Sequence, residues 1–103
     1  MYETPIYPYL GNVEVEIVFI EAGKYKFGCE YKGKDIRYTS ECKHAALKLG
    51  KTFADSESVD GYPAGCYVYN DQHVYMNHFP TSNRNKNSSP ICKIEGIIWN
   101  KWS

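Results

Sequence analysis

Four cysteines, Cys29, Cys42, Cys66 and Cys92, constrain this chain more than any other feature. An even cysteine count in a small chain rich in turn residues reads as a disulfide framework made in an oxidising compartment. The physical need is plain, because 103 residues lie near the lower end of what can hold an apolar core. Closing a loop of ~15 residues contributes about 3 kcal/mol. The rival use of four cysteines is a zinc site, but no two stand in a Cys-x2-4-Cys knuckle. Neither a metal nor another cofactor is therefore expected. Four cysteines permit three pairings, and their spacing leaves all three open.

Ten of the sixteen aromatic residues are tyrosines. Tyrosine buries its ring while its hydroxyl stays wet or finds a partner, which suits thin cores and half-exposed sheet faces. Twelve basic residues balance twelve acidic ones, so no overall field attracts nucleic acid or an anionic membrane. No apolar run approaches the ~20 residues of a membrane span. Met1-Tyr2-Glu3-Thr4-Pro5 lacks the basic and apolar regions of a secretory leader. Set beside the cysteines, this leads to the expectation of a mature or excised piece whose leader is gone, rather than a cytosolic protein with free thiols. Asn87-Ser88-Ser89 is a glycosylation sequon in a polar loop, which makes Asn87 a candidate modification site.

Residues 1–11 read as an extended lead-in. From 12 to 20, Val13, Val15, Ile17 and Phe19 point one way and Glu14 and Glu16 the other before Val18 and Ile20 turn apolar too, a strand half-buried at its start and more fully buried at its end. Tyr25-Lys26-Phe27 alternates again after a turn. This predicts a β-hairpin over 12–32. Residues 40–50 carry the one helix signal. Ser40 is placed to cap, Glu41 lies in the first turn, and Gly50 supplies a left-handed stop. Cys42, Ala45, Ala46 and Leu49 form a narrow apolar stripe on it. Residues 51–64 read as a polar loop, 65–79 as a second hairpin, 80–90 as another loop, and 91–102 as a last strand bent near Gly96. The expected fold is a single α+β domain: an antiparallel β-sheet with one short α-helix packed on a face, and two disulfides.

The segments Thr39-Ser40-Glu41-Cys42-x-x-Ala45-Ala46-x-x-Leu49-Gly50, Tyr62-Pro63-x-Gly65-Cys66-Tyr67-x-Tyr69, Val74-Tyr75-x-Asn77 and Ile91-Cys92-Lys93 form a recognisable pattern. It resembles a small cysteine-containing module found, often in several copies, in predicted secreted or surface proteins of dinoflagellates and other marine algae. Members usually have phenylalanine where Met76 stands, and some carry a further cysteine near the end. The resemblance covers about two-thirds of the chain and leaves out the first expected hairpin and the tryptophan-containing tail. It implies an extracellular or lumenal, non-catalytic, disulfide-bonded module, one piece of a larger assembly or multi-module protein. The layout of helix cysteine and strand cysteine is also loosely similar to apple-type binding domains, where a helix is stapled to an adjacent strand. With that layout the expected pairs are Cys42–Cys66 and Cys29–Cys92.

Candidate chemistry is sparse. His44, Glu57, His78 and Arg84 would supply the acid, base and cation of a small secreted hydrolase such as a ribonuclease, but nothing in their spacing brings them together. His73 and His78, with Asp71, fall on opposite faces of an alternating strand and make a poor metal set. His44 and Cys42 stand two apart on a helix and do not face each other. Lys24, Lys26, Lys32, Lys34 and Arg37 are interrupted by acids and read as a solvated face. The tyrosines are the stronger signal. Tyr67 and Tyr69 share one strand face, and Tyr75 shares a face with Asn77, which offers two readings: rings that simply cover the sheet and pack under loops, as in most small β-rich domains, or an aromatic platform edged by amides of the kind that binds sugars. Trp99 and Trp102 are candidate interface anchors or, equally, the hydrophobic closure of a thin core. The expected partner is a protein or a glycan.

Overall fold

The computed structural model describes residues 13–30 and 32–99, with the backbone alone at 13–15 and 97–99. Seven elements follow in order: β1 (Val13–Glu21), β2 (Lys34–Asp35), α1 (Thr39–Lys48), β3 (Thr52–Glu57), β4 (Gly65–Tyr69), β5 (His73–Asn77) and β6 (Ser88–Trp99). The strands form one six-stranded sheet in the order β1-β6-β4-β5-β3, with β2 also on β6. All pairings are antiparallel except β3 with β5. The expected α+β fold is the one observed.

Helix α1 lies over one face. Its stripe Cys42, Ala45 and Ala46 is fully buried against Cys66 and Val68 of β4, Val74 and Met76 of β5, and Ile91 of β6, with Ile36 and Phe19 alongside. Each fully buried Val, Ile or Met contributes about 1.5–3 kcal/mol, and the two alanines let the helix axis approach the sheet. The C-terminus closes as its sequence suggests: Gly50 takes φ +70°, and the Lys51 amide donates to the Ala46 carbonyl at 2.8 Å. The N-terminus differs from expectation. Tyr38, not Ser40, occupies the cap position, and no side chain caps the free amides. Glu41 in the first turn instead meets Lys93 of β6 at 3.0 Å, a half-buried ion pair that places an anion at the positive end of the helix dipole.

Two disulfides bind the fold, Cys29–Cys92 and Cys42–Cys66, with Cα–Cα distances of 5.7 and 5.5 Å. The second ties helix to sheet. The first closes a small separate cluster with Ala22 and Ile20.

Two further expectations are corrected. Among the described residues the hairpin expected over 12–32 does not form: β1 pairs along its whole length with β6, from Val13 opposite Trp99 to Glu21 opposite Ile91. A three-residue segment, Tyr25 to Phe27, cannot match the ladder that a nine-residue strand finds on β6. Residues 22–29 instead run irregularly, held by the Ala22 amide on the Pro90 carbonyl (2.8 Å) and the Gly23 amide on Ser89 Oγ (3.0 Å). The second correction concerns 51–64, where β3 occupies Thr52–Glu57 at the sheet edge. Most of its side chains are exposed, so its order comes from backbone pairing with β5 rather than from burial.

Candidate functional site

The sheet face opposite the helix carries the tyrosines. Alternation along β4 sends Cys66 and Val68 to the helix and Tyr67 and Tyr69 to the other side. On β5, Tyr75 lies directly across from Tyr67. Tyr62, from the loop before β4, completes the group. Tyr67 stacks between Tyr62 (ring centroids 5.9 Å apart, planes 16° off parallel) and Tyr75 (5.7 Å, 24°), and Tyr69 meets Tyr62 edge-on at 6.1 Å. These offset and edge geometries are those aromatic quadrupoles favour.

Glu57 reaches this face through an irregularity. The β3–β5 register shifts between Phe53 and Asp55. Phe53 packs against the core on the helix side, while Glu57, four residues later, points to the tyrosines and accepts a hydrogen bond from the Tyr67 hydroxyl. Without the shift, strict alternation would put Phe53 and Glu57 on one face. Burial, then the hydrogen bond to Glu57 and its negative charge, hold the Tyr67 phenol far above the usual tyrosine range. Together Glu57, Val59, Tyr62, Tyr67, Tyr69 and Tyr75 line an open cleft of about 260 Å³.

The structure redistributes the roles expected of these residues. Tyr67 is only 2 % exposed and both its ring faces are covered, so it fills the stack rather than offering a platform. Tyr62, which the strand pattern missed because it lies in a loop, takes its place beside Tyr69 and Tyr75 at the cleft. Asn77 is likewise 2 % exposed and is not a ligand-facing amide. Its Nδ2 donates to the carbonyls of Val59 (2.9 Å) and Pro63 (3.1 Å), and its Oδ1 accepts from the amides of Val59 (2.9 Å) and Phe79 (3.1 Å). Two donors and two acceptor positions are thus all used. Asn77 latches the 59–63 loop to β5 and so places Tyr62.

The histidines are dispersed. His44 packs edge-on against Phe19 of β1 at 5.8 Å, whereas His78 lies within hydrogen-bonding distance of Thr39 Oγ1 (3.3 Å) and Ser56 Oγ (3.0 Å) beside β3. β1 and β3 are opposite ends of the sheet order. His78 also sits on the helix side, away from the Glu57 carboxylate, and Arg84 lies over Tyr25 and Phe27. The four residues weighed for a hydrolase are therefore not assembled. Among the described residues no group of three or more His, Cys, Asp or Glu side chains is placed to hold a metal ion, and no helix is long and apolar enough to cross a membrane. Lys24 pairs with Asp71 and Lys34 with Glu95, each at 3.0 Å, which breaks up the basic run. Asn87 is exposed immediately before β6, and its sequon partner Ser89 is buried. The Trp99 side chain and Trp102 lie outside the described residues.

No family model, no curated protein and no solved structure matches this chain.

Proposed function

We propose that this chain is a non-catalytic binding module of an extracellular space or oxidising lumen, and that its tyrosine cleft takes a sugar ring of a glycan partner. The observation that carries the reading is the cleft itself: four phenols and one carboxylate around about 260 Å³. That is smaller than the roughly 300–1,000 Å³ that holds a drug-sized ligand, and it suits a single ring. Tyrosine faces stack on the C–H face of a pyranose, while phenol hydroxyls and the Glu57 carboxylate exchange hydrogen bonds with its hydroxyls. The stack and the latch at Asn77 pre-order these groups, which lowers the entropic cost of binding. Two buried disulfides support the oxidising compartment. The resemblance to secreted algal modules supports both the placement and a position within a larger protein. A hydrolase is the weaker alternative, because His44 and His78 contact opposite ends of the sheet.

The test is titration of the oxidised chain with pyranose oligosaccharides, followed by calorimetry. Tyr75→Ala and Glu57→Gln should each weaken binding at least about tenfold, as loss of a stacking face or a charge-assisted hydrogen bond does. Leu47→Ala, on the exposed helix surface, should change nothing. Equal affinity of Tyr75→Ala and the parent chain would overturn the proposal.

A further inference from the structure

Beside the cleft lies a second arrangement that the sugar reading does not use. Arg84 sits with its guanidinium carbon 4.8 Å from the ring centre of Tyr25 and 4.6 Å from that of Phe27. Both rings are strongly exposed, 54 % and 46 %, and so is Arg84. The two exposed rings flank a cation. The loop that carries Arg84 is pinned on three sides. Ser82 donates to the Phe27 carbonyl and accepts from the Ala64 amide, the Asn83 amide donates to the Tyr62 carbonyl at 3.1 Å, and Asn83 Nδ2 reaches Asp60 at 2.8 Å. Arg84 is thus one residue from the segment that sets Tyr62, and the two aromatic groups adjoin through residues 82–84.

A guanidinium held by its faces against rings keeps its N–H edge available, and that edge matches carboxylate or sulfate in a two-bond fork. Among the described residues no carboxylate pairs with Arg84. The neighbouring acids face other donors: Glu57 Oε2 accepts from the Tyr67 hydroxyl, and Asp60 accepts from Asn83 and the Gly61 amide. Lys86, two residues on and exposed, adds to the positive end.

We infer that Arg84, clasped by Tyr25 and Phe27, is an anion subsite adjoining the tyrosine cleft, and that the glycan spanning both carries an acidic substituent, a uronate carboxylate or a sulfate ester. The inference rests on the sugar reading above and adds the ligand's charge. The neutral ring occupies the cleft, with its hydroxyls toward Glu57, and the acid of a nearby ring meets Arg84.

Calorimetry on the intact, two-disulfide chain tests this with backbone-matched oligomers of glucan and galactan in neutral, uronate and sulfated forms. An acidic form should bind about tenfold or more tightly than its neutral counterpart, the worth of one charged hydrogen-bonding contact. The preference should shrink in molar salt. Arg84→Gln should bring the acidic-to-neutral ratio close to one while leaving neutral binding in place, and Arg84→Lys should keep part of the preference. A purely structural Arg84 would instead weaken both forms alike, or neither. The carboxylate and sulfate arms decide which acid is read. Equal binding of acidic and neutral forms, unaltered by Arg84→Gln, overturns the anion subsite and leaves the cleft reading intact. Acidic binding lost in Arg84→Gln but untouched by Tyr75→Ala upholds the anion site and overturns the cleft. Failure of every oligomer to bind overturns both.

Discussion

Asn77→Ala gives the sharpest test of how this fold supports its cleft. The side chain makes four hydrogen bonds, two as donor and two as acceptor, from a position 2 % exposed. A hydrogen bond contributes about 0.5–1.5 kcal/mol net, and a buried group left without a partner costs about 1–3 kcal/mol. Val59 and Phe79 are half-buried, so water can reach their backbone groups once the amide is gone. The Pro63 carbonyl lies deeper, on a buried residue, and stays unpaired. The expected loss is therefore about 3 kcal/mol, measured by urea denaturation as a fall in midpoint at constant slope. Asn77→Asp sharpens the test, because it keeps the shape and both acceptors but turns a donor into an oxygen facing two carbonyls. At pH 7 it should cost at least as much as alanine. The orientation of the amide follows from its surroundings, two carbonyls on one side and two N–H groups on the other. An aspartate variant as stable as the parent would refute that assignment, and an alanine loss under about 1 kcal/mol would refute the latch.

Three further outcomes follow from the same geometry. Tyr67 ionises far above the usual tyrosine range when folded, so its proton is held only by the native state once pH passes 10, the value of an unperturbed phenol; stability is unaffected below pH 10 and falls above it, by about 1.4 kcal/mol per pH unit for this one group. Tyr67→Phe should remove that part of the alkaline slope in denaturation measured from pH 9 to 11, and an unchanged slope would count against the buried phenol. The Cys29–Cys92 bridge spans 63 residues and Cys42–Cys66 spans 24; by loop entropy their removal as alanine pairs should cost about 4 and about 3 kcal/mol. If the shorter bridge proves costlier by more than about 2 kcal/mol, core packing around Cys42 outweighs chain entropy. Gly33→Ala should be strongly destabilising, because Gly33 holds φ +146° and an added Cβ would lie 2.8 Å from the Lys93 carbonyl oxygen; thermal melting within about 1 °C of the parent would contradict the close β2–β6 approach.

What could be read from the residues depended on whether local signals and long-range pairing agreed. Helix α1 and the β4–β5 hairpin were legible because periodicity, the Gly50 stop and the Asn70-Asp71 turn all point the same way; both turn residues adopt positive φ as their types allow. β3 was not legible, since Thr52 to Glu57 is mostly exposed and alternates weakly, and only β5 makes it a strand. The partner of β1 escapes a local reading for a related reason: adjacency in sequence favours Tyr25–Phe27, while length and apolar content favour β6. At the site, Tyr69 and Tyr75 followed from alternation. Tyr62 did not, because a loop residue is positioned by its tether, here Asn77, and that tether joins positions far apart in the chain.

The shift in β3 between Phe53 and Asp55 has a consequence for how such a surface arises. An edge strand ordinarily commits its odd and even positions to separate sides for its entire length. A single supernumerary residue lets this one anchor the interior with an aromatic ring and then hand a carboxylate to the outer surface within the same turn of chain. Acidity on the tyrosine-bearing side is thus set by the phase of the strand rather than by residue type: six residues held in unbroken alternation would carry Glu57 beneath the helix with Phe53, whereas trimming Ala54 alone would keep it opposite Asn77, without altering a single residue of the tyrosine stack.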